Sequence, residues 1–152
     1  MSLVSDWLQT SGGLLVDRDK VLLGLRASWK SSWPEHWDSI GGRLEVGETP
    51  ADALVREIEE EIGIIATRFA LLASVEGALP DIHGQMTCNI FAVTQWTGQP
   101  FIACDEHTEL RWFTPEQLDQ LPNLAGAGYP TLAREAIACA AAELHRTANF
   151  NG

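Results

Sequence analysis

The chain has 152 residues, 45% of them hydrophobic, which is enough for one domain with its own buried core. Ten basic residues against 21 acidic ones leave a formal charge of −11, which argues against the clustered Lys and Arg of a nucleic-acid groove. No apolar run approaches the roughly 18 residues that cross a bilayer, and no secretory leader is recognisable.

Cys88, Cys104 and Cys139 are odd in number and lack Cys-x-x-Cys spacing. They are expected to be reduced thiols in a cytoplasmic protein rather than a disulfide framework or zinc site. The negative charge looks wrong for a phosphate-bearing small molecule too, unless divalent cations sit among the carboxylates and turn positive charge towards the phosphates.

In chain order, Gly12 to Val16 and Val21 to Leu25 read as two strands joined by a hairpin turn at Asp17-Arg18-Asp19-Lys20. Ala27 to His36 is a Trp- and Ser-rich loop, and Trp37 to Ile40 a short strand before Gly41-Gly42. A helix is expected next, with Thr49 as N-cap, Pro50 at its first position and Gly63 at its stop. Phe69 to Val75 and Met86 to Trp96 read as longer strands around a loop at Pro80 to Gly84. Glu109 to Phe113 is a short strand, and Pro115 to Leu121 a short helix capped by Thr114. Tyr129 to Arg146 is an Ala-rich helix whose stripe of Leu132, Ala136, Ile137, Ala140 and Leu144 should pack on a sheet. Strands interleaved with helices predict an α/β fold, a mixed sheet with helices on both faces.

The chemistry concentrates on the central helix. At about 100° per residue, Ala51, Leu54, Val55, Ile58 and Ile62 share one face. Glu57, Glu60 and Glu61 share another, and Glu59 points to solvent. Like charges at these spacings repel, and a hard divalent cation held by carboxylate oxygens would offset that. By spacing alone, a solvated acidic face is the simpler reading. Arg56 stands one turn before Glu60 and is expected to pair with it.

The flanking residues change this balance. From Gly42 the chain runs five residues to Glu48, seven more to Arg56-Glu57-Ile58, one to Glu60-Glu61, and one to Gly63-Ile64. This matches the Nudix box at every specified position, and the chain resembles the Nudix hydrolase superfamily. A weaker likeness runs from about Gly12 to Leu121, including Glu109-Leu110-Arg111-Trp112-Phe113 followed by Pro115 and Leu118.

The resemblance implies a Nudix α/β/α sandwich with a mixed β-sheet, whose box forms a loop–helix–loop, spanning the chain as one domain. It implies that Glu57, Glu60 and Glu61, with the backbone carbonyl of Gly41, bind Mg²⁺ or Mn²⁺, and that Arg56 and Glu48 support those carboxylates. The implied reaction is attack of water on a phosphorus of a nucleoside diphosphate derivative, with one carboxylate accepting the water proton. Candidates for that base are Glu57 and, outside the box, Glu109 and then Glu106. One departure stands out: many members enter the box through Pro-Gly-Gly, where this chain has Ile40-Gly41-Gly42, which puts the stiffness of that loop in question.

The short chain and the stretch from Val21 to Trp37 look most like MutT-type nucleoside triphosphate pyrophosphohydrolases. Trp29 and Trp33 are candidates to stack on a base, Arg26 to contact phosphate, and His83 to approach phosphate or ribose. Trp37 is expected to be structural. The alternative substrate class is ADP-ribose or another nucleotide sugar, for which Pro80 is the sequence mark. A non-catalytic nucleotide-binding Nudix-fold regulator is the alternative from another class, although such modules commonly lose box carboxylates. The expected partner is a small nucleotide, with no nucleic-acid polymer and no membrane. Homodimers are common in the family.

Overall fold

The computed structural model describes residues 8–78 and 85–151, with side chains described for 8–76 and 86–146. The loop expected at Pro80 to Gly84, and with it Pro80 and His83, lies outside them.

Strand β1 (Leu8–Asp17) turns into β2 (Lys20–Arg26) through Arg18, whose φ is 58°. The two pair antiparallel only from Leu15 to Asp17. They then splay, and the chain returns to fill the gap. β3 (Trp37–Asp38) pairs with β2, while β4 (Ile40–Arg43) pairs with β1. The single short strand expected from Trp37 to Ile40 is therefore two, broken at Ser39 where the chain crosses from one splayed strand to the other. β5 (Ile65–Ala78) pairs with β6 (Gln85–Thr97), β6 runs parallel to β1, and β7 (His107–Phe113) pairs with β2. The sheet is thus mixed. β5 begins four residues earlier than the pattern predicts, because irregularities between Ala66 and Ala73 interrupt its alternation.

Helix α1 (Pro50–Ile62) has the predicted ends. Thr49 Oγ1 accepts from the Asp52 amide at 3.1 Å, and Asp52 Oδ2 accepts from the Thr49 amide at 3.1 Å. Gly63 closes the helix at φ 69°. α2 (Pro115–Gln120) repeats the device with Thr114 and Gln117, and α3 (Tyr129–Asn151) follows.

Successive strand residues feed opposite faces of the sheet. Leu14, Leu23, Ile90 and Ala92 pack with Tyr129, Ala133 and Ala136 of α3 and Leu118 of α2. Leu15, Leu22, Phe91 and Val93 pack with Leu54, Ile58 and Ile62 of α1. This is the α/β/α sandwich. Leu132, Ile137 and Ala140 join the α3 side, but Leu144 is 72% exposed, since α3 has run past the sheet there. Burying Leu54, Ile58 and Ile62 stabilises α1 by about 1.5–3 kcal/mol each, against a few tenths for each like-charge pair on its acidic face. The helix tolerates its carboxylates because packing outweighs them.

Ile40, which enters the box without the stiffness of a proline, is fully buried on the α1 side and paired with Gly13. Strand pairing and core packing hold this loop in place of a proline ring.

Candidate active site

Three structural devices bring α1, β4 and the approach to β7 together. Ser11 Oγ, on β1, donates to the Pro50 carbonyl at 2.7 Å and so anchors the start of α1. β4 passes so close to β1 that a Cβ on Gly41 would lie 1.8 Å from the Ser11 carbonyl oxygen. A Cβ on Gly42 would lie 2.6 Å from the Glu57 carboxyl carbon, so the missing side chain lets that carboxylate rest on the strand. At the far end, the amides of Phe101 and Ala103 donate to the Ile62 and Glu61 carbonyls, folding the chain back over the last turn of α1. The Ala27 amide then donates to the Glu106 carbonyl at 2.9 Å. Glu106 thereby arrives over Glu61.

Carboxylate oxygens of Glu57, Glu61 and Glu106 lie within 4.8 Å of one another. Glu60 is outside this group. Its exposed carboxylate receives Arg56 Nη1 at 3.2 Å, so the expected convergence of the three box carboxylates is corrected. Helix geometry gives the reason. Relative to Glu57, Glu61 lies about 40° to one side and Glu60 about 60° to the other, and Arg56 occupies the Glu60 side.

Arg56 binds much of the box. It grips Glu48 with two nitrogens at 2.7 and 2.8 Å, donates to Glu57 Oε1 at 2.8 Å, and reaches the Arg43 carbonyl at 3.0 Å. Its guanidinium holds the Glu48 carboxyl down to about 2. Replacing it with lysine keeps one charge but loses the fork. Arg56→Lys is expected to lower turnover about 10–100-fold, the usual cost of losing a partner behind a metal ligand. Steady-state kinetics at saturating metal checks this, and an unchanged kcat would refute it.

Glu109 is corrected as well. Its carboxylate pairs with Arg111 Nε at 2.8 Å on the surface. Leu110 and Trp112 pack on the α1 side, whereas Phe113 packs on the other and the Arg111 guanidinium lies over the Trp37 and Phe113 rings. Glu109 therefore faces away from α1. Glu106, the second candidate outside the box, reaches the carboxylates because a register shift at Leu25/Arg26 re-aims the chain at the start of β7.

Burial dominates the electrostatics of Glu61. It is 3% exposed and beside Glu106, and its carboxyl is pushed up to about 11. Glu106 is held down to about 2, chiefly by the hydrogen bond it shares with Glu61 and also by Lys30 Nζ at 3.2 Å. The two shifts oppose each other, so the fold favours a single proton shared across the pair, with burial drawing it towards Glu61. Desolvation also raises Glu57, against the opposing pull of Arg56. Glu61 Oε2 is buried, and no group among the described residues donates a hydrogen bond to it. Converging hard oxygens, one of them starved of a partner, fit a divalent cation.

The cluster forms one wall of a cavity of about 710 Å³, also lined by Arg26, Trp33, Asp38, Met86, Tyr129 and Leu132. Arg26 does not point freely into it, since Nε donates to the Ser32 carbonyl at 2.8 Å and Nη1 to Asp38 at 3.2 Å. Trp33 reaches the cavity from a φ of 51° and stands edge-on to His36. Trp29 does not line it; that ring is 61% exposed, with Lys30 Nζ 5.4 Å from its centroid. Trp37 is buried against Phe113, a structural placement. Among the lining residues that the sequence reading gave no site role are Lys30, Asp38, His107 and Tyr129. Tyr129 donates to Asp38 and is within 2.9 Å of Ser39 Oγ. Lys30, one of only two lysines, was the legible signal in this acidic chain.

The sandwich and its box helix define a hydrolase class that comparison with known proteins also identifies. The NUDIX domain family model matches residues 8–134, and the chain belongs to that family. Among curated relatives, it is 37% identical over 92 residues to an 8-oxo-dGTP diphosphatase of Proteus vulgaris, covering 60% of this chain and 80% of that one. It is 34% identical over 123 residues to a CTP pyrophosphohydrolase of Escherichia coli K12, covering 78% and 84%. Among solved structures, a MutT NUDIX hydrolase from Burkholderia pseudomallei superposes with a TM-score of 0.72 at 25% identity, covering 86% of this chain and 97% of that one. The likeness is to MutT-like Nudix hydrolases, enzymes that act on phosphorus anhydrides.

Proposed function

We propose that the chain is a Mg²⁺-dependent nucleoside triphosphate pyrophosphohydrolase, with Mn²⁺ as an alternative ion, releasing a nucleoside monophosphate and pyrophosphate. The observation that carries this reading is the Glu57, Glu61 and Glu106 group set in the wall of a nucleotide-sized cavity. The two relatives above support it, since both are named for nucleoside triphosphate substrates.

Glu57, Glu61 and Glu106 would hold the ion, with the Gly41 carbonyl beside them. Glu60 shares Arg56 Nη1 with Glu57, so it is the adjoining carboxylate that enters on releasing Arg56. A bound divalent ion supplies an acidified water and screens the phosphate oxygens. Glu57 is the best proton acceptor of the group. Desolvation raises it towards working pH, whereas Glu106 is held at about 2 and Glu61, almost wholly buried, is turned to the ion rather than to water. Arg56 and Glu48 hold Glu57 in place. Lys30 is placed to meet phosphate oxygens when Glu106 turns to the ion. Trp33 offers a face for the base. Three free cysteines and the absence of a membrane-crossing helix among the described residues support a cytoplasmic setting.

The test is a Mg²⁺-supplemented screen of nucleoside triphosphates, including 8-oxo-dGTP and CTP, with ADP-ribose and sugar nucleotides alongside. Selective release of pyrophosphate from a triphosphate is expected. Preference for ADP-ribose would move the chain to the nucleotide-sugar class, and binding without turnover would make it a regulator.

A further inference from the structure

The mechanism above gives no role to a buried titratable side chain that lies against its carboxylates. His107 is 6% exposed, lies at the start of β7 and lines the cavity beside Glu61. Among the described residues, neither ring nitrogen has a hydrogen-bond partner, and neither does Glu61 Oε2. Buried polar atoms are paired in nearly all folded proteins, so three orphans in one place need a reason. Two of them face each other: His107 Nε2 is 3.5 Å from Glu61 Oε2, just beyond a made hydrogen bond.

The ring is also held deliberately. It lies flat against Gly24 on β2, where a Cβ would come within 2.6 Å of Nδ1 and 2.9 Å of Cγ and Cε1. Only glycine leaves room for the imidazole here. With Nδ1 turned to that backbone, Nε2 is the nitrogen offered to Glu61. With the proton of the pair committed to the Glu61–Glu106 hydrogen bond, Glu61 Oε2 faces the ring as an acceptor, and a bare lone pair at Nε2 would repel it, so the buried neutral ring carries its proton there.

We infer that His107 is a positioning residue for Glu61, whose Nε2–H fixes the rotation of that carboxylate for the ion, and that Gly24 exists to seat the ring. The inference rests on the metal-dependent reading above. Its chemistry is that of a metal-ligating carboxylate held by a donor behind it.

Mn²⁺ titrated calorimetrically into the nucleotide-free full chain provides a test that does not depend on turnover. His107→Phe is expected to weaken Mn²⁺ binding by about tenfold, and His107→Gln, which returns a donor to the same place, to restore most of it. Gly24→Ala should weaken binding in the same direction by displacing the ring. The melting temperature of metal-free His107→Phe should not fall, because no made hydrogen bond is lost, whereas a purely structural histidine would lower it. The ¹⁵N shifts of wild-type His107 should report the Nε2–H tautomer, a readout that needs no variant to fold. Wild-type Mn²⁺ affinity in His107→Phe, equal losses in Phe and Gln, or an Nδ1–H tautomer would each overturn the inference. A wild-type chain that binds no Mn²⁺ would instead overturn the metal reading itself.

Discussion

Glu61→Gln is expected to cut turnover by at least about 100-fold, more than a supporting partner costs, while making the metal-free protein more stable. The two effects have one cause. Glu61 is buried beside Glu106, and its folded value of about 11 stands far above the ordinary 4.5. Between those limits the unfolded chain ionises this group and the fold keeps it neutral, so the fold binds the extra proton. Stability contributed against this group therefore falls as pH rises from about 4.5 towards 11. Glutamine has nearly the same shape, never ionises, and can still donate to Glu106. The melting temperature of the metal-free variant should exceed that of wild type, by more at pH 8 than at pH 5. A site kept costly to the fold because its chemistry requires it behaves this way. Loss of activity with an unchanged or lower melting temperature at pH 8 would contradict the assignment of the proton to Glu61. Glu106→Gln should lose activity comparably, whereas Glu109→Gln, a surface partner of Arg111, should have a far smaller effect.

Removing the divalent ion should have the larger effect. Chelation leaves Glu57, Glu61 and Glu106 facing a polyphosphate with nothing between them. Two like charges 4 Å apart interact by about 4 kcal/mol at an effective dielectric of 20. One such repulsion is a factor of roughly a thousand in rate. Chelator should therefore reduce hydrolysis at least that far, and Mg²⁺ or Mn²⁺ should restore it. Binding must also expel the proton that Glu61 and Glu106 share. Apparent Mg²⁺ affinity should rise with pH, and the calorimetric heat should depend on the ionisation heat of the buffer, with about one proton released per ion. Hydrolysis that persists after exhaustive chelation would refute the carboxylate group as a metal site.

The parts of the fold that were readable in the sequence are those whose causes are local. Thr49, Pro50 and Gly63 set both ends of α1 through contacts within a few residues, and the apolar period of Leu54, Ile58 and Ile62 names its buried face. The misplaced elements have non-local causes. β5 is longer than its pattern because bulges break the alternation, yet β6 still pairs with it. Trp37 to Ile40 splits into two strands because β1 and β2 splay. Leu144 keeps the helical stripe but has no sheet beneath it.

The same division holds at the site. Helical period along the box put the glutamates on one side of α1, while the hydrolase reading and the support of those glutamates by Arg56 and Glu48 came from the resemblance of the box to the Nudix family. Neither could say which carboxylates meet. That choice depends on the chain folding back at Phe101 and Ala103 to lay Glu106 over Glu61, and on Arg56 drawing Glu60 outward. Both are contacts between segments or between competing partners, whose strength depends on distances that no periodicity encodes. Glu61's burial, and the proton it therefore keeps, follow only once those segments have closed around it.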